Sequence, residues 1–223
     1  VVIVDNLSSG HKENINPKAK FYNCDITSIE NLKKIFEAEK PSKVIHSAAQ
    51  IQITKSINIP AHDANTNILG GLNILECCKN FNINKIIYLS TAAIYGNPEY
   101  NPLDEIHPIK PISPYGVSKR SLELYFYAYH KMYDLKFISF RLANVYGPRD
   151  FPESNRVISL FTQALLNTKQ PLIIGDGKQG RDFVYVKDIA NAAVIGLENV
   201  TEDNFFNIGT GKITPINELF LTI

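Results

Sequence analysis

The sequence predicts a doubly wound α/β fold: a parallel sheet covered by helices on both faces, with a smaller α/β lobe attached. Two observations carry this. Short β-branched runs alternate with longer helical stretches. The runs are almost continuously apolar rather than alternating, as parallel strands buried on both faces are. Composition agrees, with 44% apolar and 20% charged residues over 223 positions, an ordinary globular balance. A chain of this length buries roughly 70% of its unfolded surface, so it needs no metal or disulfide staples.

The elements follow in order. Residues 1–5 (V-V-I-V-D), 21–24, 44–46, 86–90 and 137–141 are expected strands. Helices are expected over 28–39, 61–81 and 114–133. The first stops before Pro41, with Ser28 placed to cap it. The third opens on Pro114, which suits a first helical position. After Gly147 the pattern loosens around Pro148, Pro152 and Pro171. A helix near 156–166, strands near 172–174 and 183–186, and a helix near 189–197 are expected there. Residues 1–147 therefore form the main domain and 148–223 part of a lobe. The ends, V-V-I-V-D and I-N-E-L-F-L-T-I, both fall inside expected elements.

Several function classes are excluded early. A net charge of +1 and a pI near 7.8 give no electrostatic footprint for nucleic acid or an anionic membrane. No apolar run approaches the ~20 residues of a membrane-crossing helix. Cys24 and the adjacent pair Cys77 and Cys78 make no disulfide framework, which points to a reducing cytoplasm. Cys77 and Cys78 read as buried, inert thiols. The five histidines show no metal-ligand spacing, and His46 reads as structural. The sequons Asn6-Leu7-Ser8 and Asn199-Val200-Thr201 carry no weight in a cytoplasmic protein.

One G-x-G-x-x-G occurs, at Gly175, Gly177 and Gly180. A dinucleotide fingerprint needs a helix after its glycines, so that backbone N–H groups face the pyrophosphate. Here R-D-F-V-Y-V follows, which is strand-like, so the glycines read as a connection between two strands. Asp5 is different. It ends the first strand, where an acid accepts ribose hydroxyls, although a turn residue is an equal reading for Asp5 alone. The matching glycine loop is expected about 20 residues upstream. That lies before Val1, so a first βα unit is expected ahead of the sequence. No Arg follows Asp5 to take a 2′-phosphate, which favours NAD over NADP.

Tyr-x-x-x-Lys places two side chains one helical turn apart on one face. A phenol of ordinary pKa near 10 is a poor base at pH 7, and a neighbouring ammonium stabilises its phenolate. With 11 tyrosines in the chain, chance alone yields about one such motif, and two occur. Tyr127/Lys131 lies mid-helix in an aromatic run, which reads as core packing. Tyr115/Lys119 lies in the first turn after Pro114, 24 residues beyond Ser90-Thr91 at a strand end. Strand carboxyl ends are where α/β sheets bind ligands. The second motif is therefore the expected catalytic one.

I-I-Y-L-S-T-A-A-I-Y-G, N-P-L-D-E and P-I-S-P-Y-G-V-S-K resemble the extended short-chain dehydrogenase/reductases, within them the nucleotide-sugar 4-epimerases. V-V-I-V-D-N-L-S-S-G, C-D-I, H-S-A-A-Q, R-L-A-N-V-Y-G-P-R, G-R-D-F-V-Y-V-K-D and F-N-I-G-T-G extend the likeness over nearly the whole chain. It implies a Rossmann-like domain binding NAD and a UDP-sugar substrate, UDP-glucose/UDP-galactose or the N-acetyl forms, inverted at C4 by transient oxidation. Tyr115 would be the base, Lys119 would hold the nicotinamide ribose and lower the Tyr115 pKa, and Thr91 would bond the 4-oxygen. Asp5, Asn6, Asp25, Ile26, Ala48, Asn67 and Ser90 would line the NAD site with Tyr115 and Lys119. Asn144 and Arg181 would hold the diphosphate, and Ile174 would pack on the base. For Arg181 a surface salt bridge with Asp182 is the plainer reading.

A 4,6-dehydratase or decarboxylase of the same family usually carries an acid just after the catalytic Ser or Thr. Here Ala92 and Ala93 follow Thr91. A non-catalytic binding module would not need the intact Thr91, Tyr115 and Lys119. Departures from the pattern are Thr rather than Ser at 91, and Gly71 where the family often has Thr. The likeness further implies a homodimer through the helices near 61–81 and 114–133. It also implies a parent of about 300–340 residues, within the range of two-lobed folds.

Overall fold

The computed structural model describes residues 1–150, 154, 156–199 and 204–223. Pro152, and Val200 and Thr201 of the second sequon, lie outside the described residues. In chain order the elements are β1 (Val2–Asp5), β2 (Lys20–Asn23), α1 (Ile29–Glu39), β3 (Lys43–His46), α2 (Ile53–Asn58) and α3 (Pro60–Ala64). A π-helical turn, Asn65–Leu69, follows. Then come α4 (Gly70–Asn80), β4 (Lys85–Thr91), a 3-10 turn (Ala92–Tyr95), α5 (Pro114–Tyr133), β5 (Lys136–Leu142) and β6 (Asn144–Tyr146). The rest are α6 (Val157–Leu166), β7 (Gly180–Arg181), β8 (Phe183–Tyr185), α7 (Val186–Glu198), β9 (Phe205–Ile208), β10 (Thr214–Pro215) and α8 (Ile216–Thr222).

The sheet is parallel, as expected, but it comes in separate pieces. β1 pairs only with β2, while β3, β4, β5 and β9 form a four-stranded sheet in that order. β6 pairs with β8 in parallel and β7 with β10 antiparallel. β1 and β3 each have one edge that bonds to no described strand, and apolar Val2, Val4, Val44 and Ile45 from these two strands line one common cleft. One core nevertheless joins both pieces: Cys24, Leu32 and Phe36 share a cluster with Leu75, Cys78, Tyr88 and Phe126. At about 25 cal/mol per Å², burial of such side chains dominates the folding free energy.

Five expectations are corrected. The helix expected over 61–81 begins at Pro60 and contains the π-helical turn, which changes its phase around Asn67. Residues 172–174 form no strand, because Leu172 and Ile174 are each 80% exposed and have no partner edge. The glycine motif therefore connects a loop, not a strand, to β7; Gly175 and Gly177 adopt positive φ there and no helix follows. The segment after Gly147 is not all lobe, since β9 pairs with β5 and α7 packs on β4. Ser28 does sit at the α1 N-cap, but its side chain makes no capping bond.

Candidate active site

β4 ends at Ser90-Thr91, and the chain turns at once into the 3-10 segment. Thr91 caps that turn, its Oγ1 accepting from the Ala93 N–H at 3.2 Å. Helix α5 starts above it. The Ser113 Oγ accepts from the Gly116 N–H at 3.1 Å and Pro114 takes the first helical position, a pairing that fixes a helix start. Gly116 is needed because a Cβ there would stand 2.8 Å from the Ala93 carbonyl oxygen. That close approach brings the first turn of α5, with Tyr115, against Thr91.

Tyr115 is 9% and Lys119 3% exposed. The Lys119 Nζ donates to the Leu89 carbonyl at 2.7 Å and lies 4.4 Å from the centroid of the Tyr88 ring. Burial pushes the lysine down to about 7, opposed by the carboxylates of Glu123 and Asp63. Burial also raises the Tyr115 phenol, while the Thr91 hydroxyl and the charge of Arg156 pull it back. In the folded chain desolvation dominates the Tyr115 phenol, and the groups that counter it are Thr91 and Arg156.

Behind this pair lies a buried polar network. The Asn67 side chain accepts from the Gln50 N–H at 2.8 Å and donates to the Gln50 carbonyl at 2.9 Å, bridging β3's outgoing turn to α5 through Ser118. Asp63, 1% exposed, accepts from Gln50 Nε2 at 2.8 Å and from Asn67 at 3.2 Å. The Tyr115 N–H donates to Ser56 Oγ at 3.2 Å, which satisfies one orphan donor of the helix start. So Asn67, expected on the cofactor wall, stands behind it with its side chain fully engaged. Asp63, Gln50 and Ser56 were not foreseen. The spacing of Asp63 and Asn67 at i and i+4 was available, but His62, Asn65 and Thr66 around them make the stretch polar and hide it.

The other expected residues converge on one cleft of about 2390 Å³, several times the size of a small-ligand pocket. Asp5, Asn6, Asp25, Ile26, Ala48, Ser90, Thr91, Tyr115 and Lys119 line one part of it. Asn6 Nδ2 donates to the Asp25 carboxylate at 2.7 Å, and the Thr27 N–H and hydroxyl hold that carboxyl below its usual range. Ser90 Oγ is buried without a protein partner. Asn144, Ile174 and Arg181 line the same cleft from the lobe side. Arg181 makes no bond to Asp182; its guanidinium donates to the Gly180 carbonyl, and Asp182 accepts from Thr210 and Gly211 instead. Arg156, also on the wall, was missed because a lone Arg in a loop before a helix gives no spacing signal.

The plainer readings fare unevenly. His46 is buried, its imidazole held neutral by burial, at about 3. Cys77 and Cys78 are fully buried and burial raises both thiols, so they are inert. Tyr127, expected in the core, is 45% exposed and carries Lys131 over its ring instead. Phe126 takes the core position. Among the described residues no cluster fits a metal ion, and no helix is long and apolar enough to cross a membrane.

The sequence profile of the NAD dependent epimerase/dehydratase family matches residues 1–209. A UDP-glucose 4-epimerase of Mycolicibacterium smegmatis is 35% identical over 230 residues, covering 100% of this chain and 73% of that protein. The crystal structure of a Thermotoga maritima UDP-glucose 4-epimerase with UDP-glucose superposes with a TM-score of 0.96 at 42% identity, covering 99% of this chain and 72% of that one. A Thermus thermophilus UDP-glucose 4-epimerase in complex with NAD superposes with a TM-score of 0.92 at 35% identity, covering 99% and 73%.

Proposed function

Since the chain belongs to the NAD dependent epimerase/dehydratase family, we propose that it is an NAD-dependent enzyme that inverts C4 of a UDP-sugar, with UDP-glucose and UDP-galactose or their N-acetyl forms as the pair. The observation that carries the reading is local. Thr91 and Tyr115 face each other at the end of β4, Lys119 is one turn on, and the two residues after Thr91 are alanines. A 4,6-dehydratase needs a carboxylate at that place to take a proton from C5, and neither alanine can supply it.

The residues present fit NAD. Ser90 Oγ is a buried hydroxyl with no protein partner beside Thr91, and Asp5 closes a strand at the other end of the same cleft wall. Asp5, with Asn6 and Asp25, would hold the adenosine ribose, Ile26 and Ala48 the adenine side, and Ser90 and Lys119 the nicotinamide end. When bound, NAD supplies the acceptor and then the donor of hydride at C4. The chain's own residues manage the proton and the orientation. Thr91 holds the 4-oxygen. Tyr115 removes the 4-hydroxyl proton as phenolate and returns it to the same oxygen. Arg156 supplies a positive charge that favours the phenolate, and Lys119, one turn on, would add a second when protonated. Asn144 and Arg181 would anchor the diphosphate, since a guanidinium offers a rigid donor fork, and Ile174 would pack on the base. Held by the nucleotide, the sugar is free to present its other face.

The unpaired edges of β1 and β3 suit one further parallel strand, whose turn would bring the phosphate-binding glycines that the described residues do not supply. Free buried cysteines support a cytoplasmic location. Exposed Leu124, Tyr125 and Met132 on α5 support pairing of two copies through α5 and the helix before it. The test of the function is a coupled assay of the full-length protein with UDP-glucose. Interconversion with UDP-galactose supports the reading; a 4-keto-6-deoxy product would overturn it.

A further inference from the structure

Lys119 has an unusual seat for a cation. It is 3% exposed and its ammonium finds one protein acceptor, the Leu89 carbonyl at 2.7 Å. Its second neighbour is a π face. The Tyr88 ring centroid lies 4.4 Å from Nζ, well inside cation–π range. That ring cannot turn away. It is 1% exposed, stacks on Phe126 at 4.9 Å and 15°, and stacks on His46 at 5.5 Å and 19°. The Tyr88 hydroxyl also donates to the Lys119 backbone carbonyl at 3.3 Å. Tyr88 thus grips the lysine at both its backbone and its ammonium.

We propose that Tyr88 is the positioning residue of Lys119: its clamped ring holds the ammonium by a cation–π contact and fixes it one turn from Tyr115. The proposal rests on the reading of Thr91, Tyr115 and Lys119 as the catalytic set. The groups facing Lys119 are few. Glu123 and Tyr115 share its helix, and Asp63 approaches from α3. His46 on β3 is neutral, and burial keeps the Tyr88 phenol neutral too. The two carboxylates supply long-range attraction, and the ring supplies the contact. This also accounts for an aromatic residue at Tyr88 in a strand whose neighbours Ile86 and Ile87 are aliphatic. The sequence shows only a tyrosine two residues before Ser90.

The experiment uses the full-length holoenzyme with Tyr88→Phe as reference, then phenylalanines carrying one, two and three ring fluorines at position 88. Fluorination weakens the negative π face and barely alters shape, so the fold is kept. Two quantities are read: the titration midpoint of Lys119 by NMR of ε-13C-labelled lysine, assigned by its loss in Lys119→Arg, and the pH profile of kcat. Tyr88→Phe should keep kcat within about threefold. The Lys119 midpoint should fall stepwise with fluorine, by about one pH unit across the series, and the alkaline limb of kcat should fall with it. A midpoint that stays fixed along the series overturns the proposal. So does a Tyr88→Phe variant as impaired as Tyr88→Leu, which would assign the effect to the hydroxyl. If the unaltered enzyme lacks 4-epimerase turnover yet the midpoint still moves, the proposed function fails and the role of Tyr88 stands.

Discussion

Lys119 shows what the site costs the fold. Burial lowers its pKa to about 7 from an unfolded value near 10.5. Below about pH 7 the folded protein must carry a buried ammonium, so the full penalty applies there. Between about 7 and 10.5 the unfolded chain binds more protons than the folded one, and stability rises with pH. Lys119→Met should therefore raise the melting temperature at pH 6, with the gain shrinking towards pH 10, while abolishing turnover. A gain independent of pH would show that the ammonium is not the cause. Tyr115 makes a separate prediction. Tyr115→Phe removes the proposed proton carrier and leaves the cleft wall in place, so kcat should fall by about 10²–10⁴-fold. Substrate affinity by calorimetry should change little. These two residues were legible in the sequence because Pro114, the strand-end Ser90-Thr91 pair and the four-residue spacing point to one place. Their support was not. Asp63, Gln50 and Ser56 act through burial and hydrogen bonds across 13 to 59 residues of chain, and no local pattern encodes such distances.

At the scale of elements, α5 organises the site. Its start is fixed by Ser113, Pro114 and Gly116, and its end by Asp134 in the left-handed region at φ 55°. Those are strong sequence signals, and the expected bounds matched the observed ones. Its middle is tied to the sheet by Glu123, which is 0% exposed and pairs with Arg141 at 3.2 Å, with Ser139 and Arg120 also donating. Removing one partner leaves a buried charge, at a cost of about 3–5 kcal/mol. Arg141→Met should lower stability by that order in urea unfolding, and adding Glu123→Leu should recover part of it. An additive double variant would mean the pair is not coupled. Gly71, the departure from the family pattern, has a packing reason. A Cβ there would meet the Leu122 Cδ2 at 2.3 Å, so α4 approaches α5 over a glycine. Gly71→Thr should cost about 1–3 kcal/mol by overpacking, and a Leu122→Ala partner should relieve it. The π-helical turn at Asn65–Leu69 escaped the sequence because N-T-N opens it, leaving no apolar periodicity there in which the change of phase could show. Residues 172–174 misled for the opposite reason: a β-branched run reads as strand whether or not an edge is there to receive it.

At the scale of the molecule, the carboxyl ends of β1, β3, β4 and β5 open on one cleft that also reaches the lobe. Asp5, Ala48 and Ser90 line it from the main sheet and Asn144, Ile174 and Arg181 from the lobe, together with Thr91 and Tyr115. On the proposed reading, cofactor and substrate would meet at the phenol. The parallel topology was legible because strands covered on both faces are apolar throughout. The return of α7 and β9 to the main sheet was not, because their pairing with β4 and β5 is long-range and F-F-N-I is too short to declare its neighbour. The central claim is that Tyr115 moves a proton at the 4-oxygen while hydrogen at C4 leaves and returns within the closed site. UDP-glucose deuterated at C4 tests it most directly, with the full-length protein in ordinary water. The account predicts UDP-galactose that retains its deuterium at C4, with no label appearing in solvent. Washout of the deuterium into water would contradict it.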